Sequence, residues 1–139
     1  MIILDTNVVS ETIRPKPDPG VLGWLDRQPE MLLYICTPVL AELRYGQERL
    51  TDGARKHALR ATIDRLENDL FRGRILDFNS AAALEYGRVA AGREKSGRKI
   101  EGRDIFIAAI AIANGASVAT RNVDHFDNIG LELINPFAA

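Results

Sequence analysis

The chain alternates short apolar runs with longer stretches of mixed polarity, and the period of the apolar positions changes along it. Ile2-Ile3-Leu4 is apolar at every position and stops at Asp5-Thr6-Asn7. Such a run predicts a strand buried on both faces. Val8 to Glu11 predicts the start of a short helix. Pro15 to Gly20 predicts a loop, because its prolines lack the donors that a helix interior needs. Val21, Leu22, Trp24 and Leu25 predict a short amphipathic helix, and Leu32 to Cys36 a second strand. Thr37-Pro38 then predicts a helix start, with Thr37 as cap and proline at the first helical position. That helix places Val39, Leu40, Leu43 and Gly46 on one side and also carries Glu42. After Thr51-Asp52-Gly53, the residues Leu59, Ile63, Leu66 and Leu70 recur at helical spacing. Ile75 to Phe78 predicts a third strand, and Asn79 caps a helix running from Ser80 toward Ser96-Gly97. Gly102-Arg103-Asp104 introduces a helix whose body, Ile105 to Ala113, is apolar on every face. That helix must be central and buried, and Asn114-Gly115 ends it. Ser117 to Thr120 and Leu131 to Ile134 predict a fourth and a fifth strand.

Strands that alternate with helices predict an α/β sandwich around a mainly parallel central sheet of about five short strands. With 139 residues the chain fits one domain, residues 1–139, with enough core to fold without disulfide or metal. There is no internal repeat, low-complexity segment or linker. The single cysteine, Cys36, excludes an intramolecular disulfide and a cysteine zinc cage, and its apolar surroundings predict a core thiol. The longest apolar run is too short to cross a bilayer. The first residues reach a charge too early for a signal peptide, so a cytoplasmic protein is expected.

A formal charge of −1 excludes a strongly basic tail, yet the charges are segregated. Residues 1–42 carry net −3, residues 43–103 net +5 and residues 104–139 net −3. Three acids stand where burial makes them costly. Asp5 follows the first apolar strand, Glu42 lies in a largely apolar helix, and Asp104 heads the most apolar helix of the chain. A further polar cluster, Thr120-Arg121-Asn122-Val123-Asp124, follows the fourth strand. Ligands of open α/β sheets bind at the carboxyl ends of the strands. Asp5 and Asn122 are placed there directly, and Glu42 and Asp104 by the helix ends that face the same rim. Singly, each acid has a structural explanation, as a turn cap or a helix-dipole partner. Jointly, converging carboxylates call for a cation, and hard oxygen donors favour Mg²⁺ or Mn²⁺. His57 and His125 are expected at the surface, since neither has a ligand partner nearby in sequence.

These segments resemble the PIN-domain ribonucleases. The resemblance rests on Met1-Ile-Ile-Leu-Asp5-Thr6-Asn7-Val8, Thr37-Pro38-Val39-Leu40-Ala41-Glu42-Leu43, Asp104-Ile-Phe-Ile-Ala-Ala109, Val118-Ala-Thr120-Arg121-Asn122 and Leu133-Ile-Asn-Pro-Phe137. The chain looks like the VapC-type toxins of bacterial toxin–antitoxin modules, in the FitB-like branch, over essentially its whole length. The resemblance implies a PIN-like α/β/α sandwich and a metal-dependent endoribonuclease that leaves a 5′-phosphate and a 3′-hydroxyl. Asp5, Glu42 and Asp104 match the metal-binding acids, which would hold Mg²⁺ or Mn²⁺. Asn122 matches the fourth, often acidic, position and here carries no charge. Thr6, Asn7, Thr120 and Asp124 fall where substrate and water are positioned.

Arg88, Arg93, Lys95, Arg98, Lys99 and Arg103 form the densest basic stretch and are the candidates for holding RNA phosphates. The resemblance further implies a VapB-like antitoxin whose extended segment lies in the groove, a homodimer with larger complexes once the antitoxin binds, and DNA contact only through the antitoxin. Trp24, Leu43 and Tyr45 are candidate groove or dimer contacts, if they are not ordinary core. The alternative is a catalytically weak PIN-fold binding module acting through its antitoxin. A phospho-acceptor domain is disfavoured, since residues 104–139 contain no lysine.

Overall fold

The computed structural model describes residues 1–100 and 102–138. Five strands form one parallel sheet: β1 (Ile2–Leu4), β2 (Leu33–Cys36), β3 (Ile75–Leu76), β4 (Ser117–Ala119) and β5 (Leu133–Ile134), in the order β3-β2-β1-β4-β5. Ile2 pairs with Leu33 on one side and with Ser117 on the other. The all-apolar pattern of β1 is therefore that of a central strand. The helices are α1 (Thr6–Glu11), α2 (Pro19–Asp26), α3 (Thr37–Glu48), α4 (Ala54–Arg65), α5 (Ser80–Lys95) and α6 (Asp104–Asn114).

Steps from β1 to β2 to β3 move one way across the sheet, and the step to β4 jumps back past β1. With right-handed crossovers, α1 to α4 cover one face and α5 and α6 the other. Packing agrees: α1 contacts α2 and α3, α3 contacts α4, and α5 contacts α6. The expected α/β/α sandwich is thus the fold. Its core joins Ile3, Ile35 and Val118 of the sheet to Val8, Val9, Val39 and Ile63 on one face and Ile107 and Ile110 on the other, all fully buried. Burial of each such side chain contributes about 1.5–3 kcal/mol. Cys36 lies in this core, where burial pushes its thiol up to about 12. It is a protonated packing residue, as expected.

Several local expectations are corrected. Pro19 and Gly20 are the first helical residues of α2, because Asp18 caps their turn through the amides of Gly20 and Val21. Proline is tolerated there, having no amide to orphan. Thr37 is inside α3, and Cys36 holds the cap position without a side-chain bond. Gly46 is exposed, and Gln47 takes the inward position.

Leu70 is 54% exposed although the spacing placed it inside. Residues Leu66–Leu70 form a π-turn, closed by the Phe71 amide on the Leu66 carbonyl at 2.9 Å. The wider turn shifts the phase, so Phe71 is buried instead. The helix α6 is buried from Ile107 to Ala111, but Phe106 points outward and is 36% exposed. Gly115 ends α6 in the left-handed conformation at φ 63°, which a side chain would strain. No helix of the described residues is long and apolar enough to cross a membrane.

Candidate active site

The strand order reverses between β1 and β4, where open α/β sheets leave a crevice at the carboxyl ends. Asp5 is the first residue past β1, and its amide continues the ladder onto the Ala119 carbonyl at 2.9 Å. Its carboxylate caps α1, with Oδ1 accepting from the Thr6 amide at 2.7 Å. Oδ2 accepts from the Thr120 hydroxyl at 2.7 Å and from Asn7 Nδ2 at 3.4 Å. Thr120 is fully buried just past β4. Asn7 closes the crevice from α1, since its Oδ1 accepts from the Arg121 amide at 3.2 Å. The local structural explanation for Asp5 therefore holds alongside its place in the crevice.

Glu42 reaches the same rim from α3. Its Oε2 accepts from the Thr6 hydroxyl at 2.6 Å, and its Oε1 lies 2.7 Å from the Arg103 guanidinium. Asp104 is the first residue of α6, and its Oδ2 lies 2.6 Å from His125 Nδ1. Burial pushes the Asp5 carboxyl above the ordinary aspartate value. Bonds from Thr120 and Thr6 pull it back, and the charges of Asp104 and Glu42 push it further up. Three acids from three distant segments thus share one field.

The donor set is all oxygen and carries three carboxylates around a half-closed crevice, which suits a hard divalent cation. Among the described residues no three of His, Cys, Asp and Glu stand close enough to share one ion. Glu42 is turned to Arg103, and one of the two Asp104 oxygens is held by His125.

The remaining expected residues divide. Thr6, Asn7 and Thr120 are in the crevice. Asn122 is exposed and touches the site through its amide, which donates to the Thr120 hydroxyl at 3.0 Å. Asp124 is exposed on the short turn Val123–His125 and lines a cleft with Asp104, His125 and Lys99.

The basic stretch does not form one face. Arg93 is 6% exposed, and its Nη2 donates to the His125 carbonyl at 2.8 Å. That buried position removes it from the phosphate-holding set. Arg88 pairs with Glu85 and Arg98 with Asp127, both at the surface. Lys95 and Lys99 are exposed. Arg103 is engaged inside the acid cluster rather than on its rim. Trp24 and Leu43 are core, whereas Tyr45 is 62% exposed under the Arg49 guanidinium.

Sequence reasoning missed two features. His125, expected at the surface without a role, is half exposed but bonded to Asp104. The polar cluster after β4 ended one residue short of it. A cleft of about 670 Å³ runs from Thr6 and Glu42 past Arg14, Arg49, Arg55 and Arg103. Its arginines come from four separate segments, so no run in the sequence announces it.

The chain belongs to the PIN-domain family, whose pattern matches residues 2–131. It is 41% identical to the plasmid stability protein StbB of Pseudomonas syringae pv. tomato, over 100% of both chains. It is 39% identical to the VapC ribonuclease Y4jK of Sinorhizobium fredii, over 99% of this chain and 98% of that one. It is 36% identical to the toxin FitB of Neisseria gonorrhoeae, over 99% of both. A solved structure of FitAB bound to a DNA fragment superposes with a TM-score of 0.92 at 35% identity, covering 99% of this chain and 96% of that one. The resemblance read from the motifs is therefore correct in family and branch.

Proposed function

We propose that the chain is a magnesium-dependent endoribonuclease, the toxin of a toxin–antitoxin pair, and that Asp5, Glu42 and Asp104 form its active site. The observation that carries this reading is that acids from three distant segments meet at the β1/β4 crevice, with Thr6 bonded to both Asp5 and Glu42. The relatives named VapC ribonuclease and toxin FitB support it. Asp5, Glu42 and Asp104 would hold Mg²⁺ (or Mn²⁺), which would supply Lewis-acid chemistry for activating water at neutral pH.

The chain's own residues set the geometry. Thr120 and the Thr6 amide fix both Asp5 oxygens, and Asn7 ties α1 to the residue after Thr120. The Thr6 hydroxyl holds one Glu42 oxygen and leaves the other toward Arg103. Asn122 adds no charge, so the cluster has three carboxylates. Lys95 and Lys99 hold flanking RNA phosphates, with Arg88, Arg98 and Arg103 contributing once freed from their exposed, weak ion pairs.

The partner in this reading is a VapB-like antitoxin. The family resemblance implies an antitoxin arginine that reaches the acids, and Glu42, already paired with Arg103, is an acceptor suited to a guanidinium. DNA contact belongs to that partner, and the toxin self-associates as a homodimer.

The test is cleavage of total cellular RNA by purified protein with Mg²⁺, Mn²⁺ or EDTA, wild type beside Asp5→Asn. Metal-dependent cleavage lost in the variant is expected. No cleavage by folded wild type with either metal favours the binding-module reading, in which the pairs of Glu42 with Arg103 and Asp104 with His125 are permanent.

A further inference from the structure

We propose that His125 is a positioning residue for Asp104, holding one carboxylate oxygen and leaving the other free for a cation. A carboxylate only accepts, so the 2.6 Å contact makes Nδ1 the donor and fixes the imidazole as the Nδ1–H form or its cation. Among the described residues, Oδ1 of Asp104 makes no bond and stays available. His125 pairs with Asp104 across 21 residues of chain, so this contact depends on the tertiary fold.

The fold devotes buried groups to keeping His125 in place. The turn Val123–His125 is anchored by Phe126, which is fully buried, and by Arg93, whose guanidinium binds the His125 carbonyl. The same guanidinium lies 3.3 Å from the Asp127 carboxylate, so it grips both sides of Phe126. Arg93 keeps this position although, among the described residues, its buried Nε has no partner. A buried arginine with an orphaned donor is costly. Its visible return is a fixed turn that presents His125 to Asp104. Ligating carboxylates are commonly oriented by such outer partners, and removing one weakens metal binding or activity by about 10–100-fold.

The inference rests on the metal-dependent reading above. It is tested on the purified chain by calorimetric titration with Mg²⁺, beside RNA cleavage and melting in EDTA, for wild type, His125→Ala and His125→Asn. The asparagine amide replaces the Nδ1 donor. His125→Ala is expected to bind Mg²⁺ about tenfold more weakly, with KM for RNA unchanged and the EDTA melting temperature unmoved. His125→Asn is expected to restore most of the affinity. Wild-type affinity in His125→Ala, or an equal loss in both variants, overturns the role of His125 while leaving the metal-dependent reading intact. Absence of Mg²⁺ binding and of metal-dependent cleavage in wild type overturns both.

Discussion

The Arg103 guanidinium lies 2.7 Å from Oε1 of Glu42, so the residue that introduces one acid of the crevice neutralises another. The adjacent acid, Asp104, turns the other way, toward His125. With Thr6 on the second Glu42 oxygen, both of its oxygens are engaged. The chain thus relieves the repulsion of its own carboxylates with an internal cation.

An internal cation competes with an external one. Arg103→Met is therefore expected to tighten Mg²⁺ binding a few-fold, read by calorimetric titration, because Glu42 is released toward Asp5. The Arg103 side chain is 60% exposed, so the pair is screened and its loss changes unfolding free energy by no more than about 1 kcal/mol. Unchanged or weaker Mg²⁺ binding in Arg103→Met would show that the pair does not hold Glu42 back.

Asp5 carries the opposite kind of strain. Burial, opposed by Thr120 and reinforced by its acidic neighbours, raises its folded-state pKa above the usual 3.8. A raised acid contributes stability that is complete below the unfolded value and is lost as pH rises through the folded one. At neutral pH without metal, the ionised side chain is therefore a liability. Asp5→Asn, which still caps α1, is expected to melt a few degrees higher than wild type at pH 7 in EDTA. The gap should close toward acid pH, and RNA cleavage should be abolished. Added Mg²⁺ should raise the melting temperature of wild type and not of the variant. A variant that melts lower than wild type at pH 7 would overturn this account of Asp5.

What was legible in the sequence was whatever burial on both sides makes periodic or continuous. The run Ile2-Ile3-Leu4 reads as a central strand because both faces are covered, and the Asp that ends it then stands at a strand end. The helix α6 reads as buried for the same reason, with Asp104 at its head. What was not legible depends on phase or on distant partners. Leu70 and Phe71 exchange places because a π-turn adds part of a residue to the period. Arg93 and Lys95 are two residues apart on α5 and look alike in a charge count. Only the arrival of the 125–127 turn makes one a buried tie and leaves the other in water. His125 lies in a turn with no periodicity, so nothing local marks it as a neighbour of Asp104.

Phe78, Tyr86 and Phe106 form an aromatic cluster with ring centroids 5.0 to 6.1 Å apart, and Phe78 and Phe106 each remain 36% exposed. Leu84, on the same helix as Tyr86, is 58% exposed. Exposed apolar clusters of this kind serve as association surfaces, and a second copy of the chain is the occupant expected here. Sedimentation velocity should show wild type as a dimer at micromolar concentration and Phe78→Glu as a folded monomer. A monomeric wild type would rule out the homodimer.

The two halves of the basic stretch should respond to substitution in different currencies. Arg93→Met leaves the part-buried His125 carbonyl without its donor, which costs about 0.5–1.5 kcal/mol. The expected readout is a lower urea midpoint with an unchanged slope. Lys99 is exposed and lines the cleft beside Asp104 and His125. Lys99→Ala should leave the urea midpoint in place. Its binding to a single-stranded RNA should instead lose salt dependence, the slope of log K against log salt falling by about 0.7 for one phosphate contact removed. A stable Arg93→Met with a reduced salt slope would return that arginine to the RNA-binding surface and remove the tie that holds the His125 turn.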